Sequence, residues 1–183
     1  MSTAFRHVEE HDKDQLLRWR NLPEVREFMY ADHVISPEEH ERWFRGALSD
    51  SARRYWIIVH DGEEVGLVNL YAIDQKNRRC TWAFYVASPN VRGKGVGSIV
   101  EWWVLNQVFD NLKMNRLCCE VLVTNPAVIN MHKKFGFVQE GLLREHAIKN
   151  GKPIDVVALA MLASDWVTAK PQVEARLREK GLI

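Results

Sequence analysis

A glycine-rich turn between a predicted strand and a predicted helix constrains the fold of this chain most strongly. The turn, residues 91–98 (VRGKGVGS), follows a strand-like run at 80–87 and opens a helix-like run at 98–111. The first backbone N–H groups of a helix have no partner within the helix, and the helix dipole adds partial positive charge there. Glycine lets such a backbone approach an anion closely, because it has no Cβ. The turn therefore predicts a phosphate site.

The spacing of the glycines distinguishes this turn from two common phosphate loops. A Walker loop ends in Lys followed by Ser or Thr, whereas Lys94 is followed by Gly95. A dinucleotide fingerprint has the form G-x-G-x-x-G and usually follows the first strand, but these glycines fall as G-x-G-x-G halfway along the chain. The remaining pattern is Arg-x-x-Gly-x-Gly, formed by Arg92, Gly95 and Gly97. It resembles the pyrophosphate loop that binds acetyl-coenzyme A in the GNAT superfamily of N-acetyltransferases.

A second block of residues supports the same resemblance. Glu120 lies in a largely apolar run, residues 117–123, which predicts a buried strand. Asn125 and a predicted helix that ends near residue 137 follow it. This order and spacing are similar to the second half of the superfamily. The resemblance implies one α/β domain over residues 1–183 with the GNAT fold, a central mixed, mostly antiparallel sheet flanked by helices. It also implies acetyl-coenzyme A as co-substrate and no metal.

The resemblance further implies which residues contact coenzyme A. Besides the loop, it implicates the end of the preceding strand, whose edge could pair with the pantetheine arm as an added strand would. The implied cofactor-binding residues are Tyr85, Val86, Arg92, Gly93, Lys94, Gly95, Val96, Gly97, Ser98 and Asn125.

The composition limits the partners and the location of the protein. The net charge of +1 argues against nucleic acid as the main partner. No apolar run approaches the roughly 18 residues that a membrane helix needs, so no membrane span is expected. The N-terminus lacks a signal-peptide core, and the cysteines have no metal-ligand spacing. We expect a cytoplasmic protein.

Cap and turn signals divide the rest of the chain into elements. Ser36 followed by Pro37 is a strong helix start, and Asp12 with Gln15 has capping-box spacing. Asp-Gly and Asn-Gly turns predict two hairpins. The predicted strands are 5–8, 55–60, 65–73, 138–149 and 154–162, and the predicted helices are 12–21, 23–30, 37–49 and 165–180, the last interrupted or kinked at Pro171.

An N-acetyltransferase must deprotonate the attacking ammonium, and Glu120 is the predicted general base. It is a lone acid inside the apolar strand CCEVLV, where desolvation would favour its taking up a proton, directly or through a water molecule. Alternatively, Glu120 could lie on the solvent face of the strand. The resemblance favours the base, because a base often occupies this strand in the superfamily.

Two further residues are predicted to act on the acetyl group. A free N–H near Val86 could face the thioester carbonyl and stabilise the oxyanion. Asn69, a polar residue within the strand VGLVNLY, could orient the acetyl group or the water. Alternatively, the Asn69 amide could be hydrogen-bonded within the sheet and have only a structural role.

The leaving thiolate has a predicted general acid that departs from the family pattern. Many relatives have Tyr seven residues after the Asn of the second block, whereas this chain has His132 there. An imidazole can protonate sulfur, but a thiol with a pKa of about 8.5 leaves tolerably without help. We therefore expect a smaller penalty for losing His132 than for losing Glu120; His132 could also be a helix-surface residue. The resemblance implies direct transfer to the amine without a covalent enzyme intermediate.

Residues 19–44 are predicted to select the acetyl acceptor. His40, Trp43 and Phe44 fall on one helix face, which could be ordinary core. Arg20 and Arg26 lie beside aromatic and Met side chains, and this combination suits a nucleotide-sugar: Arg binds phosphate and aromatic faces stack on a ring.

The pattern W-R-N…V-R…M…I-S…H-x-x-W-F resembles the family of acetyltransferases of bacterial pseudaminic acid synthesis. That family acetylates the 4-amino group of UDP-4-amino-4,6-dideoxy-N-acetyl-β-L-altrosamine for flagellin glycosylation. The resemblance covers nearly the whole chain and implies a UDP-amino-sugar substrate. The implied substrate-binding residues are Arg20, Met29, Tyr30, His40, Phe44 and Tyr85.

Other functions fit the same fold. One is a ribosomal-protein Nα-acetyltransferase or a polyamine acetyltransferase, for which the acidic residues of the N-terminal helices would be needed. Another is a non-catalytic acyl-coenzyme A sensor, which could dispense with Glu120. The segment 167–183 could pack on its own sheet or on a second chain, and the latter would give a homodimer.

Overall fold

The computed structural model describes residues 2–183, which form a seven-stranded sheet with helices on both faces. The strands are β1 (Thr3–His7), β2 (Arg54–His60), β3 (Glu63–Asp74), β4 (Arg79–Val86), β5 (Arg116–Leu122), β6 (Val138–Lys149) and β7 (Lys152–Leu162). The helices are α1 (Lys13–Arg20), α2 (Pro23–Arg26), α3 (Pro37–Ser49), α4 (Val96–Leu105), α5 (Pro126–Phe135) and α6 (Ala163–Glu179).

The strand order is β1-β2-β3-β4-β5-β7-β6, and neighbouring strands are antiparallel except β4 and β5, which are parallel. This confirms the predicted mixed, mostly antiparallel sheet. Across residues 2–183, β4 and β5 pair only between Arg79–Thr81 and Arg116–Cys118. Beyond these pairs the two strands separate, so the middle of the sheet opens into a gap toward their C-terminal ends.

The two faces of the sheet carry separate cores, because successive side chains of a strand point to opposite faces. Trp82, Leu117 and Cys119 belong to the larger core, together with residues of α4 and α6. Ile57 and Leu67 belong to a smaller core on the other face, beneath α1 and α3. The gap between β4 and β5 therefore joins two faces that differ in their packing partners.

The N-terminal helices differ in detail from the prediction. The helix expected at 23–30 ends at Arg26, and turns follow it. Asp12 does not cap α1 with Gln15. Its carboxylate instead accepts the N–H of Glu9 at 2.8 Å and pairs with Arg6. The predicted cap of α3 is confirmed, since Ser36 Oγ accepts the N–H of Glu39.

Two later helices, α4 and α6, differ from the prediction in where they begin or in their continuity. The helix predicted from residue 98 begins at Val96 and ends at Leu105, and a π-helical turn at Asn106–Asn111 continues it. α6 runs through Pro171 without interruption. Its Trp166 and Leu177 are buried in the larger core, so the segment packs on its own sheet. The homodimer stays a prediction. Among the described residues, no helix combines the length and apolarity needed to cross a membrane.

Candidate active site

The predicted phosphate loop turns tightly into α4. Gly93 and Gly95 have φ values of 77° and 79°, which side chains disfavour, and Gly95 is the N-cap of α4. The N–H groups of Ser98 and Ile99 donate to the Gly95 carbonyl oxygen. Among the described residues, those of Gly95, Val96 and Gly97 have no backbone partner. The loop therefore presents several free donors at a helix N-terminus, which is the arrangement that binds a phosphate.

These donors open into a cleft of about 780 Å³, here called the loop cleft. Its walls come from β4, the loop, the N-terminal half of α5 and residues 24–29. Of the predicted cofactor residues, Lys94 is the one that does not line it. The lining residues include Phe28, Met29, Phe84, Tyr85, Val86, Arg92, Gly93, Gly95, Val96, Gly97, Ser98, Asn125, Val128 and Met131.

Asn125 has a structural role as well as a place in the cleft. It is the N-cap of α5, and its side chain accepts the N–H of Val128 at 3.4 Å. The amide thereby fixes the start of the helix that forms one wall of the loop cleft. At Gly97 a Cβ would lie 3.4 Å from the sulfur of Met131, an ordinary van der Waals contact, so the two walls approach closely here without requiring glycine.

The edge of β4 that faces the gap carries the predicted oxyanion donor. The Ala87 N–H donates to the Val65 carbonyl oxygen of β3 at 2.7 Å. Because N–H groups alternate in direction along a strand, the N–H of Val86 points to the opposite edge, toward the gap. Gly66, which pairs with Val86, has no room for a side chain, since a Cβ there would lie 2.2 Å from the backbone carbonyl oxygen of Tyr85.

Glu120 lies on β5 at the gap, but its environment differs from the prediction. Cys119 and Val121 face the larger core, whereas Glu120 points to the other face and is exposed. The expected desolvation of this carboxylate is therefore wrong: its apolar neighbours along the strand do not surround it. Instead, the Tyr30 hydroxyl donates to Glu120 Oε2 at 2.5 Å.

Two tyrosines, Tyr30 and Tyr71, lie near the Glu120 carboxylate. Burial and the hydrogen bond to Glu120 raise the pKa of Tyr30, so its hydroxyl remains a donor through the neutral range. Burial and the nearby Glu120 charge also raise the pKa of Tyr71 to about 12. An exposed carboxylate held by a phenol and open to the gap can receive a proton from an incoming ammonium, directly or through water.

His132 is buried, with 2 % of its surface exposed, and is not a helix-surface residue. Its Nδ1 lies 2.8 Å from Oε1 of Glu101, a fully buried acid on α4. His132 and Glu120 both line a cavity of about 180 Å³ in the gap, here called the central cavity. Its other lining residues are Phe28, Met29, Tyr30, Tyr71, Trp82, Ala83, Phe84, Cys119, Val121, Leu122, Asn125 and Val128.

A third cavity, of about 320 Å³, lies on the α1–α3 face of the sheet and is here called the aromatic cavity. It shares Met29 and Phe84 with both the central cavity and the loop cleft, so the three spaces meet at these side chains. Its lining residues are Leu16, Arg20, Met29, Ala31, Ile35, Glu39, His40, Trp43, Tyr55, Leu67, Asn69, Ala83, Phe84 and Tyr85.

Arg20 is the main cation of the aromatic cavity. Among residues 2–183, its Nη1 is buried and has no hydrogen-bond partner. Burial lowers the pKa of the Arg20 guanidinium, because desolvation disfavours the charged form. Burial likewise raises the pKa of Tyr85, which remains a neutral phenol. An unpartnered guanidinium nitrogen beside aromatic rings is prepared to bind an acceptor group of a ligand.

The structure brings most, but not all, of the predicted acceptor residues to these cavities. His40 lines the aromatic cavity, but its Nε2 lies 2.8 Å from the Lys13 carbonyl oxygen, which ties α3 to α1. Tyr30 lines the central cavity and not the aromatic one. Contrary to the prediction, Phe44 does not reach the substrate site: it is 1 % exposed in the smaller core and lines neither cavity. Its position on the helix, one turn beyond His40, turns it into the sheet.

Several residues of the site escaped the prediction from sequence. Trp43 and Tyr55 form a T-shaped pair with centroids 5.5 Å apart at the wall of the aromatic cavity. Glu101 had a signal in the sequence, since it is the one charged residue of the apolar helix Val96–Leu105. Within residues 2–183, no three His, Cys, Asp or Glu side chains are grouped to hold a metal.

Comparison with known proteins identifies the family. Residues 3–138 match the family described as an acetyltransferase (GNAT) domain. The acetyltransferase PseH of Campylobacter jejuni (strain 81-176) is 29 % identical over 133 residues, which cover 73 % of this chain and 81 % of that protein. The spermidine N(1)-acetyltransferase of Vibrio cholerae is 26 % identical over 166 residues, 90 % of this chain and 95 % of that protein.

Solved structures agree on the fold. The Vibrio cholerae spermidine N-acetyltransferase in complex with CoA and spermine superposes with a TM-score of 0.83 at 24 % sequence identity, and the match covers 90 % of this chain and 98 % of that one. The phosphate loop, the open gap between β4 and β5 and the family match point to the same activity. The chain belongs to the GNAT family and is an acetyl-coenzyme A-dependent N-acetyltransferase.

Proposed function

We propose that this enzyme acetylates the 4-amino group of a UDP-amino-sugar in the cytoplasm, as a step of pseudaminic acid synthesis for flagellin glycosylation. The observation that carries the proposal is the buried Nη1 of Arg20 in the aromatic cavity, which has no hydrogen-bond partner among the described residues. A nucleotide-sugar supplies phosphate and carbonyl acceptors for Arg20, and it supplies rings that stack on Trp43, Tyr55 or Tyr85. The similarity to PseH of Campylobacter jejuni supports the same assignment.

The proposed reaction is a direct transfer between two ligands that enter from opposite faces of the sheet. Coenzyme A lies in the loop cleft, with its pyrophosphate on the loop and its thioester at the gap. Glu120 takes the proton of the attacking ammonium, and the Val86 N–H stabilises the oxyanion of the tetrahedral intermediate. Asn69, on the wall of the aromatic cavity, orients the acetyl group or a water molecule. The C–S bond then breaks and the thiolate leaves.

A polyamine is the competing acceptor. The similarity to spermidine acetyltransferases supports it, and so does Glu39, an acid on the wall of the aromatic cavity. The half-buried Arg20 opposes it, since its Nη1 has no hydrogen-bond partner among the described residues, spermidine is a polycation, and like charges repel in a poorly solvated site. The Glu39 carboxylate is also paired with His33, since its Oε2 lies 2.9 Å from His33 Nε2.

A thiol-release assay with acetyl-coenzyme A tests the proposal. The acceptors are UDP-4-amino-4,6-dideoxy-N-acetyl-β-L-altrosamine, spermidine, and a peptide with a free N-terminus. We expect fast release with the UDP-sugar alone. Release with spermidine or peptide alone would replace the sugar assignment while retaining the acetyltransferase mechanism. Binding of coenzyme A without release with any acceptor would favour a non-catalytic sensor.

A further inference from the structure

The buried pair of Glu101 and His132 is the strongest chemical feature that the acceptor chemistry leaves unused. Glu101 is 0 % and His132 2 % exposed, and they lie on two different helices, α4 and α5. One carboxylate oxygen of Glu101 contacts His132 Nδ1 at 2.8 Å. The other oxygen has no partner among the described residues. Burying an acid in this way is costly, so the pair needs a reason beyond packing.

The pair sits directly behind the central cavity. His132 lines that cavity together with Glu120, and its Nε2 has no hydrogen-bond partner within residues 2–183. The Trp82 ring of β4 lies edge-on to the imidazole at 5.2 Å, and the Phe137 ring lies at 5.3 Å. These neighbours are uncharged. The imidazole therefore has one nitrogen fixed by Glu101 and the other available to the gap.

The titratable neighbours come from β5. Burial holds the pKa of the Cys119 thiol well above its usual range, and the Glu101 charge acts in the same direction, so Cys119 is neutral. Glu120 follows Cys119 on the strand and points to the opposite face. Burial also raises the pKa of Glu101, whereas the interaction with His132 lowers it. The first of these effects is the larger, so the net shift of the Glu101 pKa is upward.

We infer that Glu101 and His132 form a proton-donating dyad, in which Glu101 positions and charges the imidazole that protonates the departing coenzyme A thiolate. The dyad carries two protons, one on Nε2 and one shared between Nδ1 and Oε1. In this state the pair is neutral overall, wherever the shared proton resides. Losing a proton would leave a net negative charge in a buried site, and desolvation opposes that. The dyad therefore keeps its second proton until a strong base, the thiolate, appears beside Nε2.

The tetrahedral intermediate collapses, the C–S bond breaks, and its electron pair goes to sulfur. The Nε2 proton passes to sulfur, giving the coenzyme A thiol. The shared proton then belongs to Nδ1, and the negative charge resides on Glu101. The dyad regains a proton from solvent, while Glu120 releases to solvent the proton that it took from the amine.

This inference rests on the proposed role of His132 and is independent of which amine accepts the acetyl group. Its test is the Glu101→Gln variant, which keeps the shape of the side chain but cannot charge the imidazole. With whichever acceptor the wild-type enzyme uses, we expect kcat to fall about 10²-fold, the low end for the loss of a general acid because a thiolate leaves tolerably without help, with KM for acetyl-coenzyme A unchanged. The alkaline limb of the kcat–pH profile should move to lower pH, because a lone buried imidazolium deprotonates more easily.

Two controls separate this role from a structural one. Glu174→Gln removes another acid that contacts α4, through Trp102 Nε1, and should leave both kcat and the pH profile unchanged. In a His132→Gln background, adding Glu101→Gln should cause no further loss, because Glu101 acts through His132. Additive losses, or a pH profile of Glu101→Gln that superimposes on that of the wild type, would overturn the inference.

A measurement on the wild-type protein does not depend on how the variants fold. The ¹⁵N NMR signal of His132 Nε2, assigned with His132→Gln, should show a protonated nitrogen at pH 7 in the complex with coenzyme A. An unprotonated Nε2 at that pH would contradict the dyad. Failure of the UDP-sugar as acceptor would not affect this result, so the dyad and the substrate assignment are tested separately.

Discussion

The replacement Arg20→Met tests the acceptor assignment most directly. Arg20 projects from α1 into the aromatic cavity, where its Nη1 is buried and finds no hydrogen-bond partner in the described part of the chain. Met retains most of the length and the apolar stem of the side chain but removes the charge and all donors. Arg18 lies on the same helix and is exposed, so Arg18→Met is the matched control for the loss of one positive charge.

The expected loss of kcat/KM in Arg20→Met follows from the hydrogen bonds that the guanidinium lacks in the free enzyme. Because Nη1 has no hydrogen-bond partner within residues 2–183, the substitution removes a bond made only with the ligand. A hydrogen bond from a charged donor contributes about 1.5–3 kcal/mol. At about 1.4 kcal/mol per factor of ten, kcat/KM for the UDP-sugar should fall about 10- to 150-fold. The free energy of unfolding should not fall, because a desolvated cation is removed.

The assay compares kcat/KM for the UDP-sugar and for spermidine by thiol release, alongside thermal unfolding. Turnover of spermidine by Arg20→Met should stay constant or rise, since the repulsion between two cations disappears. Arg18→Met should match the wild type with both acceptors. Undiminished turnover of the UDP-sugar by Arg20→Met, or equal losses with both acceptors, would refute the reasoning.

Three further outcomes follow from the site and the fold. Glu120→Gln should lower kcat by about 10²–10⁴ without changing coenzyme A affinity, measured by steady-state kinetics and calorimetry, as expected for loss of the base. Gly95→Ala should cost about 1–3 kcal/mol in a denaturation experiment, because φ is 79° and the new Cβ would lie 2.7 Å from Leu182, whereas Gly93→Ala, with nothing within 4 Å, should cost less. Burial raises the pKa of Asp12, but the hydrogen bond from Arg6, the hydrogen bond from the Glu9 N–H and the Arg6 charge together lower it by more, so the net shift is downward. The stability that Asp12 contributes is thus present above its unfolded pKa of about 4 and lost as the pH falls, and urea titrations of Asp12→Asn should show a weaker acid dependence.

Local features of the sequence predicted most of the helices and strands and the glycine-rich turn, whereas the arrangement of the sheet was implied by the resemblance to the GNAT superfamily. Glycine spacing determines where the backbone can turn with positive φ, and an apolar run predicts a strand, because both depend on neighbours within a few residues. The helix that begins after Gly95 and the strand that contains Glu120 follow from such signals. Arg20 and His40, which the resemblance implied as substrate-binding residues, both line one cavity.

The electrostatic environment of each acid was decided only by the tertiary structure. Glu120 has apolar neighbours in sequence, but a strand sends alternate side chains to opposite faces, so it is exposed and paired with Tyr30, 90 residues away. Glu101 is enclosed because α4 packs on the sheet, and it meets His132, 31 residues further along the chain, only when α5 packs beside it. Burial and charge pairing depend on elements that are distant in sequence. The sequence by itself therefore determined most of the helices and strands and the glycine-rich loop. Only the tertiary structure determined which acid is desolvated and which histidine that acid contacts.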